Sequence, residues 1–147
     1  MTQTAPQMMF LNLPITDVTK SRAFYGALGF GFDDRFCDDT SCCVVISDTI
    51  FLMLLEHEKF SGFSPRPLSD PAESVQHLIS ISRDSRAAVD AILDAAVSAG
   101  GTDNDKTMEM GDFMYGRSFS DPDGHVFEPM WMDVEAAMKA WGQSETA

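Results

Sequence analysis

Seven residues before Asp17 stands Phe10 and seven before Asp84 stands His77; five after Asp48 stands Met53 and five after Asp123 stands Glu128. Each quartet frames the same order of patterns: an apolar run, a helical periodicity, then short apolar runs. Self-similarity at fixed offsets is the mark of a module written twice. Such a module buries its open sheet face only against a second layer, so the expected fold is α+β, with two βαβββ modules forming a curved mixed sheet around a cleft.

The punctuation along the chain sets the elements. The first module, residues 8–58, opens on the strand run Met9 to Ile15. Asp17 is placed to cap a helix carrying Val18, Phe24, Tyr25 and Leu28 on one side, and Gly29 stops it. Phe30 to Cys37, Cys42 to Ser47 and Ile50 to Glu56 read as strands. Residues 59–75, with Pro65, Pro67 and Pro71 among serines and a glycine, read as a linker able to fold over a pocket through Phe60 and Phe63. The second module, residues 76–133, repeats the order: a strand from Gln76 to Ser82 and a helix from Ser85 to Ser98, then strands near Thr102–Met108, Phe113–Ser120 and His125–Met132. A short C-terminal helix over 134–142 is expected to bury Val134, Ala137, Met138 and Trp141.

Composition narrows the partners. Twenty-three acidic against ten basic side chains, a formal charge of -13, repel phosphate backbones and anionic lipid, so neither nucleic acid nor a membrane is an expected partner. No apolar run reaches the roughly 20 residues of a membrane span, and the start Met1-Thr2-Gln3-Thr4 lacks a basic region before an apolar one, which implies a cytoplasmic location. Cys37, Cys42 and Cys43 are odd in number and two are adjacent, so they read as structural thiols rather than an export framework. No Gly-rich phosphate loop, Gly-x-Ser-x-Gly elbow or His-Glu-x-x-His run is present, so no nucleotide cofactor is expected.

The repeated βαβββ order, Leu13-Pro14-Ile15-Thr16-Asp17 with Ser21-Arg22-Ala23-Phe24-Tyr25, and Asp121-Pro122-Asp123-Gly124-His125-Val126-Phe127-Glu128 resemble the glyoxalase / bleomycin-resistance / extradiol-dioxygenase (vicinal oxygen chelate) superfamily over residues 8–133. Gly111 to Phe119 and Trp131-Met132-Asp133 resemble its predicted lactoylglutathione lyase subgroup. The resemblance implies a homodimer, a small-molecule ligand, and a divalent metal (Zn, Ni, Fe or Mn) held by first-strand and last-strand side chains of each module. Those seats here are Phe10, Met53, His77 and Glu128. Phenylalanine cannot ligate, and a thioether is a soft ligand; His77 and Glu128 remain as metal candidates.

Alternation puts Glu128 on a face with Val126 and Met130, and His77 on one with Ile79 and Ile81. A carboxylate among apolar side chains is costly unless paired, hydrogen-bonded or bound to a cation. The two are therefore read as an ion pair, as joint ligands or as a catalytic acid/base couple. Phe10 and Met53, with Phe51, Met114, Met130 and Trp131, would wall a ligand site, while Tyr115 and Arg117 would bind a substrate anion. His57, between Glu56 and Glu58, reads as solvated, and His125 as surface or packing. Two functions follow: a glyoxalase-like lyase or isomerase, or a metal-independent binding protein of the bleomycin-resistance type.

Overall fold

The computed structural model describes residues 5–145 and divides into two compact units between Asp70 and Pro71. The first unit contains β1 (Met9–Ile15), α1 (Val18–Ala27), β2 (Gly31–Phe32), β3 (Ser41–Val45), β4 (Ile50–Glu56) and α2 (His57–Phe63). Its four-stranded sheet has the order β1-β4-β3-β2, with β1 parallel to β4 and the other pairs antiparallel. Asp17 caps α1 as its sequence position demands: its carboxylate accepts from the Thr19 and Lys20 amides. Glu56, at the end of β4, satisfies a third amide by accepting from Val18 at 3.0 Å. One sheet face, with Leu13, Ile15, Cys42, Val44, Leu52 and Leu54, is buried with Phe24 and Tyr25 of α1.

The second unit contains β5 (Ile79–Ser82), α3 (Arg86–Ser98), β6 (Thr102–Met110), β7 (Met114–Ser120), β8 (Val126–Met132) and α4 (Val134–Glu145). The sheet order β5-β8-β7-β6 repeats the first, again with one parallel pair, β5 with β8. Val89, Ile92, Leu93 and Ala96 of α3 are buried with Phe119 and Phe127, whose rings stack 5.4 Å apart. The α+β class and the doubled βαβββ order are thus present. No helix among the described residues is long and apolar enough to cross a membrane.

Four expectations are corrected. The strand from Phe30 to Cys37 contracts to Gly31–Phe32, because Asp33 caps a single 3-10 turn over Asp34–Phe36 through the Arg35 amide. The linker is helical at its start: α2 occupies 57–63, a stretch without proline, and all three prolines follow its end. The strand expected from Gln76 begins only at Ile79. Of the four α4 residues expected to be buried, Ala137 is; Val134 and Met138 stay about two-thirds exposed, and Trp141 meets Phe113 edge-on at 5.9 Å.

Candidate functional site

Helix caps give the repeat an internal ruler. In the first unit the cap is Asp17, but in the second it is Ser85, whose hydroxyl accepts the Ala88 amide at 3.0 Å. Asp84 is one residue too early to be the counterpart of Asp17. Counting from the caps, Asn12 and Ser80 each stand five residues upstream, and the ladders agree: Asn12 pairs with Met53, and Ser80 with Glu128. The equivalent seats are therefore Asn12, Met53, Ser80 and Glu128.

His77 is the largest correction. It precedes β5, is exposed, and has no strand partner. Its parity also fails, since parallel partners share a face and Ser80 is the partner of Glu128. An extension of β5 would have turned His77 toward the Ile79 and Ile81 side, away from Glu128. Phe10, by the same count, matches Leu78; it is 45% exposed and lies on Phe51 at 4.9 Å, a stacked pair on the face opposite α1. Met53 is half-buried between Asn12 and Cys43 on that same face.

Glu128 is half-buried on the face opposite α3. Ser80 donates its hydroxyl to Glu128 Oε1 at 3.0 Å. The strand register puts Met130 and Gly116 on the neighbouring row, with Met114 and Met132 beyond them. Ser118 and Ser120 on this face are tied to Asn104, whose amide nitrogen donates to both hydroxyls at 3.0 and 3.1 Å. The result is one carboxylate with a hydroxyl partner amid methionines and small polar groups.

Tyr115, Arg117 and Trp131 lie on the other face, under α3. Tyr115 donates to Asp90 at 2.6 Å, and Arg117 bridges Asp90 and Asp103 at 3.0 and 3.1 Å. Arg86, the first residue of α3, lies 5.2 Å from the Tyr115 ring centre and 5.5 Å from that of Trp131. The Tyr115 hydroxyl, then Arg117, holds the Asp90 carboxyl below the usual carboxylate range. Hydrogen bonding to Asp90 raises the Tyr115 phenol in turn. The expected substrate-binding pair is consumed in joining α3 to the sheet. Alternation had put the two residues on one face correctly; which face a helix covers is a tertiary fact.

The Asp-Pro-Asp-Gly segment is structural. Asp121 accepts the Asp123 and His125 amides, and Gly124 takes φ +100 with Ala72 and Pro71 backbone 3.0–3.1 Å from where a Cβ would stand. His125 is only 6% exposed, so it is a packing residue; His57 is exposed at the start of α2.

The first unit has a feature that spacing only hinted at. Phe60 and Phe63 of α2, with Ser64 and Pro65, cover a 390 Å³ hollow floored by Asn12 and Leu55, on the face opposite α1. Among the described residues no group of three or more His, Cys, Asp or Glu side chains is arranged to hold a metal. The four seats supply one carboxylate, one thioether, one amide and one hydroxyl. Taken unit by unit, neither the Asn12/Met53 pair nor the Ser80/Glu128 pair fits the divalent ion implied by the resemblance, since catalytic zinc or iron asks for about three strong protein ligands.

Comparison with known proteins bears on the fold. Residues 7–47 match the family model described as bleomycin resistance protein-like N-terminal. A hypothetical protein from S. aureus is similar at 29% identity and TM-score 0.73, covering 88% of this chain and 96% of that one. A glyoxalase/bleomycin resistance protein/dioxygenase family enzyme from Burkholderia phytofirmans gives 20% identity and TM-score 0.69, over 85% of this chain and 98% of the other. A bleomycin resistance determinant encoded on transposon Tn5 gives 19% and 0.59, over 87% and 99%. No curated protein matched. The fold is that of the glyoxalase/bleomycin-resistance proteins.

Proposed function

We propose that this protein binds a small cationic, amphipathic organic molecule without a metal, as the likeness to a bleomycin resistance determinant suggests. The observation that carries the reading is the half-buried Glu128 of the second unit, held by the Ser80 hydroxyl at 3.0 Å with Met130 and Gly116 on the neighbouring row. One half-buried carboxylate supplies a counter-charge for a cation. The methionines beside it supply an adaptable apolar surface. Glu128 recognises the ligand's positive group, Ser80 fixes the carboxylate's orientation, and the rest is shape. The -13 net charge adds a long-range attraction for a cation.

A lyase or isomerase reading has one observation in its favour: a carboxylate in a partly apolar setting is a fit group for moving a proton. Metal analysis of protein purified without chelator, with calorimetric titration of metal-free bleomycin into wild type and Glu128→Gln, separates the two. Metal-free protein whose binding weakens in the variant supports capture. A stoichiometric divalent ion, lost in the variant, overturns it in favour of the glyoxalase-like enzyme.

A further inference from the structure

The turn at Asp39–Thr40 is closed by the pair Asp38 and Ser41, whose backbones form an antiparallel bridge with the Asp38 amide on the Ser41 carbonyl at 3.0 Å. Cys37 and Cys42 are the residues just outside that isolated bridge, one on each side of the turn. Their sulfurs are 3.9 Å apart. The arrangement is more than two neighbouring thiols, because donors converge on it. The Cys43 amide donates to Cys37 Sγ at 3.2 Å, and Arg22 Nη1 reaches Cys37 Sγ at 3.6 Å and Cys42 Sγ at 3.9 Å. Arg22 is itself positioned, by Asp34 at 2.8 Å and by the Phe32 ring 4.3 Å below its guanidinium. Arg22, Phe32, Ser41 and Cys42 line an open hollow of 610 Å³ beside α1. Nothing in the proposed ligand site uses any of these groups.

We propose that Cys37 and Cys42 form an oxidisable dithiol site for hydroperoxides, in which Cys37 attacks and Cys42 resolves. Cys37, half-exposed, is the accessible sulfur; Cys42 is fully buried. In the first step Cys37 thiolate attacks the O–O bond of ROOH. An S–O bond forms to the terminal oxygen, which keeps its hydrogen, the O–O bond breaks, and RO⁻ leaves and takes from solvent the proton that Cys37 released on ionising, so sulfur loses two electrons to the peroxide. In the second step Cys42 sulfur attacks the Cys37 sulfenic acid. The S–S bond forms and water leaves, taking the Cys42 proton. A dithiol reductant restores both thiols by exchange. Burial first, then the charge of Cys37, pushes the Cys42 thiol up to about 12, while Arg22 opposes both. The accessible Cys37 therefore attacks first and the buried Cys42 resolves. The bridge would lock the turn that borders the hollow.

The test is a thiol count of folded protein with hydrogen peroxide, before and after dithiothreitol, read by Ellman's reagent in denaturant and by non-reducing electrophoresis. Wild type and Cys43→Ser are expected to lose two thiols reversibly within one chain. Cys37→Ser and Cys42→Ala are expected to form no intramolecular bridge. Arg22→Gln is expected to slow the first step about tenfold, the order of one lost charge-assisted hydrogen bond. Cys37 is half-exposed, so Cys37→Ser carries the result if Cys42→Ala fails to fold. A bridge that survives Cys42→Ala or Cys37→Ser, one that links two chains, or three thiols persisting in oxidised wild type overturns the proposal.

Discussion

The parallel pair β1–β4 and its counterpart β5–β8 share register, cap spacing and sheet order, yet they present different chemistry at the same rung. Asn12 faces Met53 in one; Ser80 faces Glu128 in the other. The aromatic stacks differ in the same way. Phe119 and Phe127 are fully buried beneath α3, whereas Phe10 lies on Phe51 while remaining 45% exposed on the face opposite α1. The duplicated backbone supplies positions, and each copy assigns them separately: the first unit spends the face opposite α1 mostly on apolar surface, partly under α2, and the second spends the face opposite α3 on a charge.

The sharpest way to break this comparison is in the two stacks. Phe127→Ala should cost about 3–5 kcal/mol, because a large ring leaves a cavity that its surroundings cannot close, whereas Phe10→Ala should cost below about 1 kcal/mol. Urea unfolding of both variants measures the gap, and equal losses would refute the assignment of the two faces. Next in size, Glu128→Gln should weaken binding of a cationic ligand by about 1.5–3 kcal/mol, the worth of a hydrogen bond to a charged group. Met53→Gln, which changes the equivalent seat without touching a charge, should leave the electrostatic part intact; the salt dependence of binding in the two variants distinguishes them.

Smaller effects test the alignment of the copies. Asp17→Ala and Ser85→Ala should each lose about 1 kcal/mol as helix caps. Asp84→Ala should change the melting temperature little, and a loss there matching that of Ser85→Ala would restore the alignment that equates Asp84 with Asp17. Smallest is Tyr115→Phe, about 0.5 kcal/mol, since Asp90 is nearly half exposed and solvent screens the interaction. Its pH dependence has a definite sign. Tyr115, then Arg117, depresses the Asp90 carboxyl below its ordinary 3.8 in the folded state. The stabilisation is therefore present above that value and is lost as pH falls through the folded one. Denaturation of wild type and variant should converge in strong acid and differ at neutral pH.

Much of the fold was legible because its signals are local. Asp17, Gly29 and the apolar spacing defined α1, and Ile50–Glu56 was readable as a strand to the residue. The short strand β5 was not. Gln76-His77-Leu78 looks as strand-like as the four residues after it, and only pairing with β8 decides where the strand begins. That ambiguity displaced the candidate pair, since one residue of register reverses the face of a side chain. The bulge in β6, where the register shifts between Asp103 and Thr107 and Asp105 takes φ +56, also left no clear trace in the chain's pattern.

By itself the amino-acid sequence determined the α+β class, the doubled order of elements and the place of Glu128 on a strand with Val126 and Met130. Periodicity and caps are properties of neighbouring residues and survive without knowledge of the rest. The tertiary structure decided that Ser80, not His77, meets that carboxylate, that Tyr115 and Arg117 serve α3, and that Cys37 meets Cys42 across a turn. Those are contacts across strands and layers, fixed by register and by which face a helix covers, and neither is written in any one segment of the chain.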